Sequence, residues 1–217
     1  MSSTPMIYGF DLITDASDHD VNPFGHRIVA IGLSTPSGTD LFEGPEAEII
    51  RDVDEVLATW PVGVVVTWNG SLLDLPFFAA RAAAHRLSTG LVLQVDARRA
   101  IASPIPVLEH ACIAAWHDHR HLDLSRVYQQ ASPRWRVGMR RGIDHESMIP
   151  PSDDLAARDP RRDACLARSL TERRWSQARK HCDTLRSADR SGALGLALLE
   201  ASGEVRETAG AEAVLSI

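Results

Sequence analysis

The run GVVVTW, residues 63–68, limits the fold more tightly than any other stretch of the chain. Consecutive valines put apolar side chains on both faces of a strand, the pattern of parallel sheets buried between two layers of other elements. A short strand MIYGFDL, ending near Ile13, and a second, RIVAIGLS over residues 27–34, precede it. The polar stretch DASDHDVNPFGH joins those two as a loop. A turn at Ser37 and Gly38 leads into a third strand around Leu41 and Phe42. Pro45 is expected in the first turn of a helix, EAEIIRDVDEVLATW, in which Ile50, Val53, Leu57 and Trp60 recur at helical spacing.

After the valine run, NGSLLDLPFF opens an alanine-rich helix, FFAARAAAHRL, and LVLQV reads as a further strand. ACIAAW through His121 is expected as one short strand entering a helix, HLDLSRVYQQ. Residues 153 to 180 read as one long helix or two. Antiparallel strands followed by alternating strands and helices imply an α/β fold, a mixed central sheet with helices packed on both faces. Residues 1–186 form the expected domain. Glycines and weak periodicity from Ser187 imply an irregular tail over 187–217.

The 217 residues are 44% hydrophobic and 24% charged, which suits one core large enough to fold without disulfides. Cys112, Cys165 and Cys182 lack paired spacing and are expected as reduced thiols. No basic, apolar leader opens the chain, and no apolar run approaches the ~20 residues of a membrane span, so a cytoplasmic location and no membrane partner are expected. The net charge of -6 gives no global footprint for nucleic acid. Locally, Arg134, Arg136, Arg140 and Arg141 surround Trp135, and six further arginines between Arg158 and Arg174 could line a groove for phosphates.

Three segments in order carry a resemblance. GFDLIT ends a strand, WNGSLLDLPFF joins a strand to a helix, and DPRRDACLARSLTERRW puts an aspartate near the start of a helix. Together they resemble the DEDD-type 3′-5′ exonucleases of the ribonuclease H-like fold, in particular the exonuclease domain of family B DNA polymerases, over roughly residues 6 to 180. The family's motifs read F-D-I-E-T, N-G-x-x-F-D-L-P and Y-x-x-x-D. The resemblance implies a metal-dependent hydrolase of single-stranded DNA or RNA 3′ ends. Asp11, Asp74 and Asp163 would be its Mg²⁺ or Mn²⁺ ligands, and Asn69 and Gly70 the strand-to-helix turn beside the substrate.

Two positions depart from the family. Ile13 stands where the first-motif glutamate belongs, and Asp159 where the tyrosine that orients the attacking water belongs, so Asp159 is the catalytic candidate at that place. Two hard cations need several oxygen ligands at once, and isoleucine offers none. Hydrolysis is therefore expected to be impaired, or lost in favour of nucleic-acid or protein binding. Asp15, Asp18, Asp20 or Asp159 could supply the missing acid, although four extended residues put Asp15 ~13 Å from Asp11.

His117, His119 and His121 alternate, with Asp123 at the same parity, a possible zinc set. Structural roles are the expected reading, with Asp123 either a helix cap or a residue supporting the site from behind its ligands. Trp68 and Trp135 could stack on a base at a 3′ end, while the position of Trp68 at the end of a buried strand favours the core. No glycine fingerprint for phosphate and no nucleophile elbow is present.

Overall fold

The structure, a computed structural model, describes residues 4–15, 22–100, 110–128 and 159–185, with no side chains described for 97–100 and 110. The tail from Ser187, Trp135 with its arginines, Asp18 and Asp20 lie outside the described residues. The strands are β1 (Met6–Thr14), β2 (Ile28–Thr35), β3 (Gly38–Glu43), β4 (Gly63–Thr67), β5 (Leu91–Ala100), β6 (His110–Trp116) and β7 (His119–Asp123). The helices are α1 (Glu46–Thr59), α2 (Asp74–Ala84), α3 (Leu124–Tyr128), α4 (Pro160–Arg173) and α5 (Trp175–Ala178).

All seven strands form one sheet in the order β3-β2-β1-β4-β7-β6-β5. The centre is parallel, β1 beside β4 and β4 beside β7, as the valine run requires. Both flanks are antiparallel.

Strand parity sorts the side chains of β1 onto two faces. Tyr8, Phe10 and Leu12 join Ile31, Leu33 and Val65 on one face, beneath Ile49, Ile50, Val53 and Leu57 of α1 and Phe77 and Phe78 of α2. Trp116 packs there against Phe10 and Phe78, with ring centroids 5.4 and 4.6 Å away. Its indole N–H is satisfied by Asp54 Oδ1 at 2.7 Å, which also accepts from the Gly90 N–H.

The other face is thinner. Ile7, Val64, Val66 and Leu122 meet Leu124 and Tyr128 of α3, Ala167 of α4 and Ala178 of α5. Helix α4 presents Pro160, Ala164, Ala167 and Thr171, spaced to share one side of the helix. It lies so close that a Cβ at Gly9 would overlap the Ala164 carbonyl, and one at Gly32 the backbone of Pro160. Glycine is required at both places because backbone meets backbone.

Several local expectations need correction. Pro45 is the N-cap of α1 rather than a first-turn residue, and its carbonyl accepts from the Glu48 and Ile49 N–H groups. Helix α1 ends at Trp60, whose N–H bonds the Leu57 carbonyl before Pro61 forbids continuation. The region from Ala111 to His121 is two strands, because His117 takes φ 50° and reverses the chain into a β6–β7 hairpin. The residues HLD consequently belong to β7, and within the described residues the helix spans only Leu124–Tyr128.

Of the two forms expected over 153–180, one long helix or two, the described residues show two, α4 and α5, followed by a 3₁₀ turn, Arg179–His181; residues 153–158 lie outside the described residues. Cys112, Cys165 and Cys182 are free thiols, and burial pushes that of Cys112 up to about 12. Among the described residues no helix is long and apolar enough to cross a membrane.

Candidate functional site at the carboxyl end of the central strands

The parallel centre of the sheet brings the ends of β1, β4 and β7 to one edge. In an α/β sheet that edge is the usual place for ligands. Asp11 is partly buried near the end of β1, paired with Gly32 of β2. Since Gly32 abuts Pro160 and Arg161, the first turn of α4, which holds the partly buried Asp163, lies over the same part of the sheet.

Asp74 is the first residue of α2 and only 5% exposed. A carboxylate there meets the positive end of the helix dipole. Pro76 is tolerated two residues on because first-turn N–H groups have no intrahelical acceptor.

The turn between β4 and α2 is held from a distance. Asn69 takes φ 68°, a conformation asparagine tolerates better than most residues, and its carbonyl accepts from the Leu72 and Leu73 N–H groups. A Cβ at Gly70 would overlap the Thr67 side chain. Asp123, fully buried at the end of β7, accepts from the backbone N–H groups of Asn69 at 2.9 Å, Ser71 at 3.2 Å and Ser125 at 2.9 Å. One carboxylate thus fixes the Asn69 turn and caps α3.

Of the acids that could replace the missing glutamate, the two that lie among the described residues, Asp159 and Asp15, have other partners. Asp159 is the N-cap of α4, accepting from the Arg161 backbone N–H at 3.0 Å and from its guanidinium at 3.0 and 2.9 Å. Hydrogen bonding by the Arg161 side chain holds Asp159 below the ordinary carboxylate range. Asp15 closes the start of the β1–β2 ladder, bonded to the Arg27 backbone N–H at 2.8 Å and to its Nε at 3.2 Å. Ile13 keeps the parity of Asp11 and faces Ala30 across the ladder.

The donors present do not fit a full pair of hard cations. The strand offers one carboxylate and one isoleucine, and Asp159 is occupied as a cap. Among the described residues no group of three or more His, Cys, Asp or Glu side chains is gathered as a metal ion would need.

The histidines divide among separate structural tasks. His117 contacts Asp54. His119 Nε2 donates to the Leu57 carbonyl at 2.8 Å while Nδ1 accepts from the Gly63 N–H at 3.1 Å, which fixes its tautomer. His121 lies between Thr67 Oγ1 at 2.9 Å and Asp183 Oδ2 at 2.7 Å.

Asp183 and Arg126 were not legible as partners in the sequence. The Asp183 carboxylate also accepts from the Ala114 N–H at 2.9 Å and from Arg126, whose guanidinium reaches on to Ser71 Oγ at 2.6 Å. This buried network ties the segment after α5 to the sheet and to the start of the Asn69 turn. No spacing rule pairs residues 57 positions apart.

Trp68 departs from its expected place in the core. It is 43% exposed, and its ring lies 5.9 Å from that of Tyr128. Arg174 Cζ stands 5.7 Å from the centroid of the Tyr128 ring.

No protein-family model and no curated protein matches the chain. Among solved structures it is similar to the family B DNA polymerase from the hyperthermophilic archaeon Pyrobaculum calidifontis, with a TM-score of 0.52 and 15% sequence identity. The likeness covers 90% of this chain but 24% of that one, so the chain spans about a quarter of the polymerase's length. At that identity the likeness concerns the fold alone. With its mixed seven-stranded sheet and helices on both faces, the chain has an α/β fold of the ribonuclease H-like kind.

Proposed function

We propose that this protein is a 3′-5′ exonuclease-like module that binds single-stranded DNA or RNA 3′ ends, with phosphodiester hydrolysis impaired. The observation that carries the reading is Ile13, on the same face of β1 as Asp11 and two residues away, where the exonuclease motif places its second carboxylate. Asp11, Asp74 and Asp163 keep the acids of the three motifs, but among the described residues they are not gathered as a metal ion would need, which favours binding over turnover. The turn at Asn69 and Gly70 stands where the second motif falls in the sequence and is held by Asp123. An isoleucine in the place of a ligand, with Asp159 and Asp15 bonded elsewhere, favours retained binding over efficient turnover.

The test is to restore the acid. Degradation of a single-stranded oligonucleotide is followed with Mg²⁺ or Mn²⁺ for the wild type, Ile13→Glu, and Ile13→Glu combined with Asp11→Asn. The expected result is little or no wild-type turnover, a gain of about tenfold or more with the glutamate, and loss of that gain in the double variant. Burying the glutamate without metal should cost about 1–3 kcal/mol, recovered on adding the cation. Robust wild-type turnover with no benefit from the glutamate would overturn impairment. No turnover in any folded variant would make the module a pure binder, a pseudo-exonuclease in which hydrolysis has been lost altogether.

A further inference from the structure

We propose that Trp68, backed by Tyr128 and Arg174, is a stacking platform for one unpaired nucleobase; the proposal rests on the nucleic-acid-binding reading above and assigns it a subsite. Trp68 is the only aromatic among the large apolar side chains that stand exposed in the described residues. A lone exposed apolar side chain needs no explanation, but this one is not loosely placed. Its ring is backed by Tyr128, itself only 5% exposed, at an interplanar angle of 34°. The next residue, Asn69, is fixed at φ 68° by the bond from its N–H to Asp123.

The position is as telling as the exposure. Gly9 pairs with Val66 in the parallel ladder; Asp11 stands two residues further along β1, and Trp68 directly follows the last residue of β4. The indole therefore stands at the carboxyl end of β4, on the side of the sheet that Tyr128 covers. The Tyr128 hydroxyl is buried without a hydrogen-bond partner among the described residues, and burial raises its pKa, so the phenol is neutral.

The chemistry of the patch selects its ligand. A rigid indole over a second ring, with a guanidinium against that ring, offers a flat π surface beside a positive charge. A base attached to a phosphate matches both. A net charge of -6 argues against long-range attraction of polyanions, so affinity at this place must come from contact. Contact by stacking tolerates any base and needs it unpaired.

Binding of a fluorescein-labelled single-stranded DNA oligonucleotide, followed by anisotropy in EDTA, tests the subsite on the full chain. Trp68→Ala should weaken binding about tenfold or more, and Trp68→Phe should stay near the wild type. Replacing the 3′-terminal base by an abasic residue should cost the wild type a similar factor and Trp68→Ala almost nothing further. Equal binding by wild type and Trp68→Ala would overturn the subsite while leaving nucleic-acid binding intact. So would an abasic penalty of the same size in both proteins. A folded wild type that binds neither single-stranded DNA nor single-stranded RNA would remove the functional reading, and the platform with it.

Discussion

On one face of the sheet Phe10, Phe77, Phe78 and Trp116 fill a layer several side chains deep; on the other, Gly9 and Gly32 let the backbone of α4 touch the strands. The first face is held by buried area and loses stability in proportion to the volume removed. The second has little side-chain volume to lose and depends on the absence of atoms, so it is damaged by addition. Asp11, Ile13 and Trp68 belong to the thin face. Close helix approach on this face brings polar groups of α4 near the strands without a thick apolar layer between them.

The largest effect expected from this contrast is on the thick face. Phe78→Ala removes a fully buried ring that meets Phe10 and Trp116, and should cost about 3–5 kcal/mol in denaturant unfolding. A loss under about 1 kcal/mol would mean that the aromatic layer is not what carries this face.

Addition on the thin face comes next. Gly9→Ala forces a methyl group into the Ala164 carbonyl and should cost about 1–3 kcal/mol. The damage should concentrate in α4, read as faster amide exchange from Ala164 to Thr171 than in the strands. Uniform loss of protection, or none, would erase the distinction between the faces.

The smallest effect is electrostatic and sits at the border of the thick face. Glu46 is buried in the first turn of α1, bonded to the Ile28 N–H at 2.7 Å, to Arg81 at 2.8 and 2.6 Å, and to His85 at 2.7 Å. Burial alone would raise its pKa, but the hydrogen bonds from Arg81, His85 and Ile28 outweigh that and leave it lowered. A lowered folded-state pKa stabilises above the unfolded value, and the contribution is lost as pH falls through the folded one. The melting-temperature gap between wild type and Glu46→Gln should therefore narrow from about pH 7 to about pH 3. A gap that stays constant would show that the carboxylate's charge is not the source of the effect.

Much of this architecture was legible in the sequence because period and burial agree. Alternation in MIYGFDL, the valine run and the helical spacing of Ile50, Val53 and Leu57 each record one buried surface. What was not legible depends on partners remote in the chain or on unusual torsions. His117 reverses the chain without a glycine or proline to announce it. Asp123 could be suspected as a cap, but not as the acceptor for a turn 54 residues earlier.

The role of Asp159 was within reach, since an aspartate directly before a proline is a helix-start signal. Trp68 misled for a plain reason: strand composition says where a run ends, not whether the next ring turns inward.

The contact between α4 and the first two strands also has a consequence for how the molecule is made. Arg168 reaches Ser34 across 134 residues of sequence, and Ala164 meets Gly9 across a comparable span. Contacts of such long range carry a high loop-closure cost and form after local ones. On the ribosome, β1 and β2 emerge long before the helix that covers them. Any synthesis product that stops short of Pro160 presents those glycines bare, and the edge holding Asp11 is finished only when the last third of the chain arrives.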